Sequence, residues 1–248
     1  MSPDKDGFVL GVIPARFGST RFPGKPLAPI LGKPMIQWVY ERARQAHRLD
    51  EVVIATDDER IYRAAAQFGA NVAMTSPDHP SGTDRVWEAA SQTTASVIVN
   101  IQGDEPGIEP EVIDAACAPV IAGEAPMATL AVVVVDPQRF TDANQVRVVT
   151  DRRGLALYFS RAPIPWGGWE QPGRFLAHLG LYAYSRSALH KLTSLPPSQL
   201  ERAEKLEQLR ALENGIAIRV VTVQRHSPAV DVPADIGRAE RWLSDHGR

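Results

Sequence analysis

Through the first half of this 248-residue chain, apolar runs of strand length alternate with amphipathic helical stretches. That rhythm constrains the fold more than any other feature of the sequence. Residues 8–13 are a continuous apolar run ending at Pro14, the pattern of a strand buried on both faces. Residues 35–46 carry Ile36, Val39, Ala43 and Ala46 at helical spacing. Residues 52–56 read as the next strand, 61–68 as a helix closed by Gly69 at its C′ position, 97–101 as a third long strand and 109–122 as a third helix. Strand and helix repeated in this order predict a mostly parallel, doubly wound α/β sheet covered by helices.

After about residue 126 the rhythm changes. Residues 127–135, 146–150, 156–160 and 175–184 read as strands separated by turns rather than helices, with Asp151-Arg152-Arg153-Gly154 as a hairpin turn. The expectation is a single domain over 8–248 with an antiparallel insertion subdomain at about 126–197, a lid or a dimerisation surface. The chain then returns to a helix at 201–213, a strand at 216–223 and a last helix at 234–246 begun by Pro233.

Composition excludes several functional classes. With 44% hydrophobic and 23% charged residues the chain falls among ordinary globular proteins. A formal net charge of -2 provides no basic field for a nucleic-acid backbone, so no nucleic-acid partner is expected. Cys117 is the only cysteine, which rules out an intrachain disulfide and a cysteine metal site; its apolar helical surroundings suit a small buried hydrophobe. The polar, acidic start of the sequence resembles no signal peptide, and no run reaches membrane-spanning length. No membrane partner is expected, and the cytoplasm is the expected location.

In open α/β sheets ligands bind at the carboxyl ends of the strands, so the loops there are where chemistry is sought. The loop after the first strand, residues 14–26, carries Arg16, Gly18, Ser19, Thr20, Arg21, Gly24 and Lys25. Its glycines let backbone N–H groups approach phosphate oxygens, and its cations offset a triphosphate's charge. It is neither a Walker A loop, since Pro26 stands where Ser or Thr is required, nor a GxGxxG fingerprint. Asp104, directly after the third long strand, is placed to hold a hard cation that bridges phosphates. Pro233 in the first helical turn makes Val232 the nominal cap, which leaves Asp231 unspent on capping. Ser81 or Gly82 can cap the helix containing Val86 and Trp87, or bind a ligand, and a small residue can do both. His178, Tyr182 and Tyr184 alternate along one strand and so face one side.

These motifs resemble the sugar nucleotidyltransferases, and within them the 3-deoxy-manno-octulosonate (Kdo) cytidylyltransferases. The loop matches PAR-x-x-STR-x-PGKP from Pro14 to Pro26, and residues 78–85 resemble DHxSGTxR. Residues 100–106 match NxQGDEP, and Asp231 to Pro233 match VD-x-P. Residues 159–166 resemble FSR-x-x-IPW, 178–184 HLG-x-Y-x-Y and 206–210 LEQLR, so the likeness spans nearly the whole chain. The resemblance implies a Rossmann-like nucleotidyltransferase fold and CMP transfer from CTP to Kdo, with release of pyrophosphate, for lipopolysaccharide biosynthesis. It implies CTP contacts from Ala15, Arg16, Ser19, Lys25, Ser81, Gly82, Arg85 and Gln102, with Arg21 in support. Arg16, Lys25 and Asp104 carry the catalytic roles in this reading, and Asp104 with Asp231 would bind Mg²⁺. Arg161 is expected near the sugar carboxylate, and His178, Tyr182, Glu207 and Gln208 near its hydroxyls. A homodimer through the insertion is also implied. The Gly167-Gly168-Trp169 loop departs from the family's pattern beside the expected sugar site, which leaves the 8-amino variant of Kdo open as acceptor. A sialic acid, a sugar phosphate and a non-catalytic nucleotide-binding protein are the rival readings.

Overall fold

The computed structural model describes residues 7–18, 21–168, 170–171, 173–224 and 227–246. The chain forms two compact units: one from the residues up to Asp114 together with those beyond residue 225, the other from the residues between.

The first unit opens with β1 (Val9–Ala15), whose Val9, Leu10, Val12 and Ile13 are at most 1% exposed. A short hairpin of β2 (Pro29–Ile30) and β3 (Lys33–Pro34) precedes α1 (Met35–Ala43). Then come β4 (Glu51–Thr56), α2 (Glu59–Gln67), β5 (Asn71–Met74), α3 (Gly82–Ser91) and β6 (Val97–Asn100). β6, β1, β4 and β5 lie side by side in that order, all parallel. α1 and α3 both pack on β1, which explains why this strand is apolar at nearly every position. Asp58 caps α2 by accepting from the Arg60 N–H, and Ser81 caps α3 by accepting from the N–H groups of Thr83 and Asp84. β5 is an element the sequence reading did not contain. It is four residues long, and its burial does not alternate.

α4 (Pro110–Ile121) carries the chain across the division, and Cys117 is buried in it. The second unit continues with β7 (Met127–Val135), α5 (Pro137–Thr141), β8 (Arg147–Thr150), β9 (Ala156–Ser160) and β10 (Arg174–Ser185). α6 (Arg186–Ser194), α7 (Gln199–Glu204), α8 (Gln208–Glu213) and β11 (Ile218–Val223) complete it. β10 runs antiparallel to β7 and β8, and β8 antiparallel to β9, as the change of rhythm predicted. The hairpin turn forms as expected, with Gly154 N–H donating to Asp151 O at 3.0 Å. β11, by contrast, is parallel to β7.

Two expectations are corrected here. The connection between 127–135 and 146–150, read as a turn, is a helix, α5, capped by Asp136, and α6, capped by Ser185, is a helix the sequence reading did not contain. Ala188, Leu189 and Leu192, the buried residues of α6, stand at helical spacing that the sequence did display. The helix expected over 201–213 is two helices, because Lys205 adopts φ 56, ψ 47 and ends α7. Left-handed backbone breaks the ladder there, and Leu206 enters the core beyond it.

The chain returns to the first unit through a 3₁₀ turn at Pro233–Asp235 and α9 (Ile236–His246). Val230, Ala239 and Leu243 pack with Ile30 and Met35, and this core seats the segment bearing Asp231. Among the described residues no helix is long and apolar enough to cross a membrane.

Candidate active site

The loop beyond β1 is shaped by one close approach. Gly24 has φ 72, its N–H donates to Phe17 O at 2.9 Å, and a Cβ there would lie 3.1 Å from the Phe17 ring. Glycine takes this backbone at no steric cost. The Arg60 guanidinium lies over the Phe17 ring, 3.3 Å from its centroid. Gly103 plays the matching part after β6: a Cβ on it would sit 3.0 Å from Pro14 O, so the two strand-end loops can close on each other.

Between these loops lies a cleft of about 440 Å³, within the range of small-ligand sites. Ala15, Arg16, Lys25, Gly82, Gln102 and Asp104, all expected from sequence, line it together with Arg21. Lys25 Nζ donates to Asp104 Oδ2 at 2.7 Å and stands 3.8 Å from Asp231 Oδ1, while Arg21 pairs with the same Asp231 oxygen at 3.2 Å. The two aspartates expected to share a metal therefore come within reach of one ammonium nitrogen. Backbone bonding fixes them: Val230 N–H donates to Asp104 O at 2.9 Å. The N–H groups of Asp231 and Val232 both donate to Asp235 Oδ2, so Asp235 does the capping and the Asp231 carboxylate is left for the cations. Burial, reinforced by the neighbouring Asp104 charge, pushes the Glu105 carboxyl up to about 8. Glu105 thus keeps its proton near neutrality and adds no third charge. Among the described residues no group of three or more His, Cys, Asp or Glu side chains forms a metal cage. Two carboxylates are the donor set that Mg²⁺ takes when substrate phosphates complete its shell. The residues present fit such an ion.

Ser81 and Arg85 do not line the cleft. The Ser81 hydroxyl caps α3 and donates to Asp84 Oδ2 at 2.6 Å. Arg85 is 0% exposed; its Nη2 donates to Asp57 Oδ2 at 2.9 Å, and its Nη1 donates to the Thr75 hydroxyl. Asp57 and Thr75 are residues that sequence reasoning missed as partners; Asp57 directly follows β4, but nothing local marked it as the counterion of a buried guanidinium. Ser19 and Trp169 lie outside the described residues.

The residues expected to hold a sugar lie in the second unit. The rings of His178, Tyr182 and Tyr184 follow one another at 5.5 and 6.0 Å, and Phe159 meets His178 edge-on. A bulge after Leu179 inserts two residues and so keeps the alternation in phase. Thr129 Oγ1 lies 3.0 Å from His178 Nε2 and donates toward the carbonyls of Leu179 and Leu181. One hydroxyl proton cannot serve all three, so His178 Nε2–H donates to Thr129 and Nδ1 remains an acceptor. Burial lowers the His178 pKa to about 3, and the ring is neutral. Burial and the nearby Glu207 charge hold Tyr182 well above the ordinary phenol value, and it stays a donor. Gln208 is buried, and among the described residues its Nε2 has no partner.

Arg161 donates from Nε to Glu204 O at 3.1 Å and from Nη1 to Ala143 O at 3.3 Å. Glu204 was not anticipated, because a glutamate on a polar helix reads as solvated. Its carboxylate accepts from Ser160 Oγ at 2.6 Å and from Arg161 N–H at 2.9 Å, which fixes the start of this loop. Arg147, 0% exposed, donates to the carbonyls of Gln145, Arg161, Arg139 and Phe140 and ties the same end of the loop to α5 and the residues before β8.

Comparison with known proteins identifies the family. A family model described as "Cytidylyltransferase" matches residues 10–218. A 3-deoxy-manno-octulosonate cytidylyltransferase of Solibacter usitatus is 54% identical over 94% of this chain and 93% of its own length. One from Syntrophotalea carbinolica is 52% identical over 95% and 98%. Among solved structures, a CMP:2-keto-3-deoxy-manno-octonic acid synthetase complexed with CTP is similar at a TM-score of 0.90 and 42% identity, covering 96% of this chain and 99% of that one. The chain belongs to the cytidylyltransferase family, among the 3-deoxy-manno-octulosonate cytidylyltransferases.

Proposed function

We propose that this chain transfers CMP from CTP to Kdo, forming CMP-Kdo and pyrophosphate. The observation that carries the reading is the pairing of Asp104 and Asp231 about one cation, in a cleft also lined by Arg16, Arg21 and Gln102. The names of the relatives and of the CTP-bound structure support it.

Asp104 and Asp231 would hold Mg²⁺, which screens triphosphate charge and polarises phosphoryl oxygens when bound. The anomeric hydroxyl of the sugar attacks the α-phosphorus in line, and the bond to the β-phosphate breaks. Arg16 and Lys25 stabilise the departing pyrophosphate. Gln102 faces the nucleotide sugar, and Gly82 and Ala15 offer backbone to the nucleotide. Ser81 and Arg85 act through the placement of α3, and Ser19 supports the phosphate loop. Arg161, through its Nη2, meets the sugar carboxylate. Neutral His178 accepts from a sugar hydroxyl at Nδ1, Tyr182 and Gln208 donate, and Glu207 accepts.

The same reading includes a cytoplasmic enzyme supplying lipopolysaccharide synthesis and a homodimer through the second unit, where Val133 and Val135 of β7 and Leu157 of β9 are exposed. Light scattering that finds a monomer refutes the dimer. The reaction itself is tested by offering all four nucleoside triphosphates with Kdo, 8-amino-Kdo, a sialic acid and a sugar phosphate, and following pyrophosphate release. Turnover is expected with CTP and Kdo. A preference for another nucleotide or acceptor overturns the assignment.

A further inference from the structure

Lys25 is asked to serve two partners. Its Nζ lies 2.7 Å from Asp104 Oδ2 and 3.8 Å from Asp231 Oδ1, and its side chain is only 15% exposed. The position is built in: Lys25 follows the left-handed Gly24 and begins a 3₁₀ turn, while the Val230–Asp104 backbone bond joins the segments that carry the carboxylates.

We infer that the Lys25 ammonium and the divalent cation compete for the same two carboxylates, and that the triphosphate resolves the competition by drawing Lys25 onto its phosphates. The inference rests on the reading of Asp104 and Asp231 as metal ligands. Magnesium binds carboxylate oxygens at about 2.0–2.1 Å, so an ammonium bonded to Asp104 and standing 3.8 Å from Asp231 crowds and repels it. Phosphate oxygens offer Lys25 a charged partner, and its departure frees Asp104 and leaves Arg21 as the remaining cation at Asp231. Metal and nucleotide are then coupled, each strengthening the other by the same factor. Lys25 keeps the site from filling with metal before the substrate that needs it arrives.

The test measures Mn²⁺ binding to the full chain by electron paramagnetic resonance, with and without CTP. Without nucleotide, Lys25→Met is expected to bind Mn²⁺ about tenfold more tightly than the unaltered protein, the equivalent of one charge-assisted hydrogen bond. The enhancement by CTP shrinks in the same proportion. Lys25→Arg, still cationic, keeps the weak affinity, and adding Asp104→Asn to Lys25→Met abolishes the gain. If Lys25→Met does not fold, Lys25→Gln gives the same readout. Unchanged or weaker Mn²⁺ affinity in the neutral variant overturns the inference. CTP and Kdo turnover by the unaltered protein separates the two ideas. Turnover with no gain in metal affinity sinks the competition alone, and a gain without turnover sinks only the assigned reaction.

Discussion

At Asp104 the carboxylate meets the Lys25 ammonium at 2.7 Å while remaining partly open to solvent. Its charge is therefore worth more to substrate than to the fold. Asp104→Asn is expected to lower kcat by about 10²–10³-fold and to change stability by less than about 1 kcal/mol. Near-normal pyrophosphate release by the folded variant would refute the metal role. His178 is the opposite case, a residue whose surroundings set its protonation. Its folded pKa of about 3 lies below the unfolded value, so both states are neutral above pH 6.5. As pH falls from 6.5 toward 3 the unfolded chain takes up a proton that the folded ring refuses, and stability drops by about 2 kcal/mol at pH 5. His178→Gln removes this contribution. Urea midpoints at pH 7 and pH 5 should lie closer together in the variant, and an undiminished gap would show that the ring is not the source.

Among elements, the junction of β4, β5 and α3 depends on a charge pair that no local pattern announces. Arg85 of α3 is 0% exposed and reaches Asp57, just past β4, at 2.9 Å, and Thr75, just past β5. Asp57→Asn leaves a buried guanidinium without its counterion and is expected to cost about 3 kcal/mol. A urea midpoint equal to that of the unaltered protein would show the pair to be dispensable. The regular elements themselves were legible where periodicity was long. β7 and β9 fall at the expected residues, and β1, α1 and α4 within a few of them. Periodicity failed at α7 and α8, where Leu206 and Leu209 suit one continuous helix and only the left-handed Lys205 divides it. It failed also at α5, a five-residue helix too short to show a period.

For the whole molecule, ligand binding is expected to appear as stability. CTP with Mg²⁺ at about 100 times the dissociation constant should add roughly 2.7 kcal/mol and raise the thermal midpoint. CTP with a chelator should give a clearly smaller shift, because both aspartates would then face the triphosphate without a divalent ion between. Equal shifts in a melting experiment would contradict a role for metal in nucleotide binding. The sequence by itself determined the α/β class, the cation-rich loop after β1 and the residue types at the site, since local burial patterns and short motifs record these within a few neighbours. Tertiary structure decided the pairings: Lys25 with Asp104 across 79 residues, Arg85 with Asp57 rather than in the cleft, His178 with Thr129. Such contacts depend on which strand ends the sheet sets side by side, and neither periodicity nor composition carries that distance.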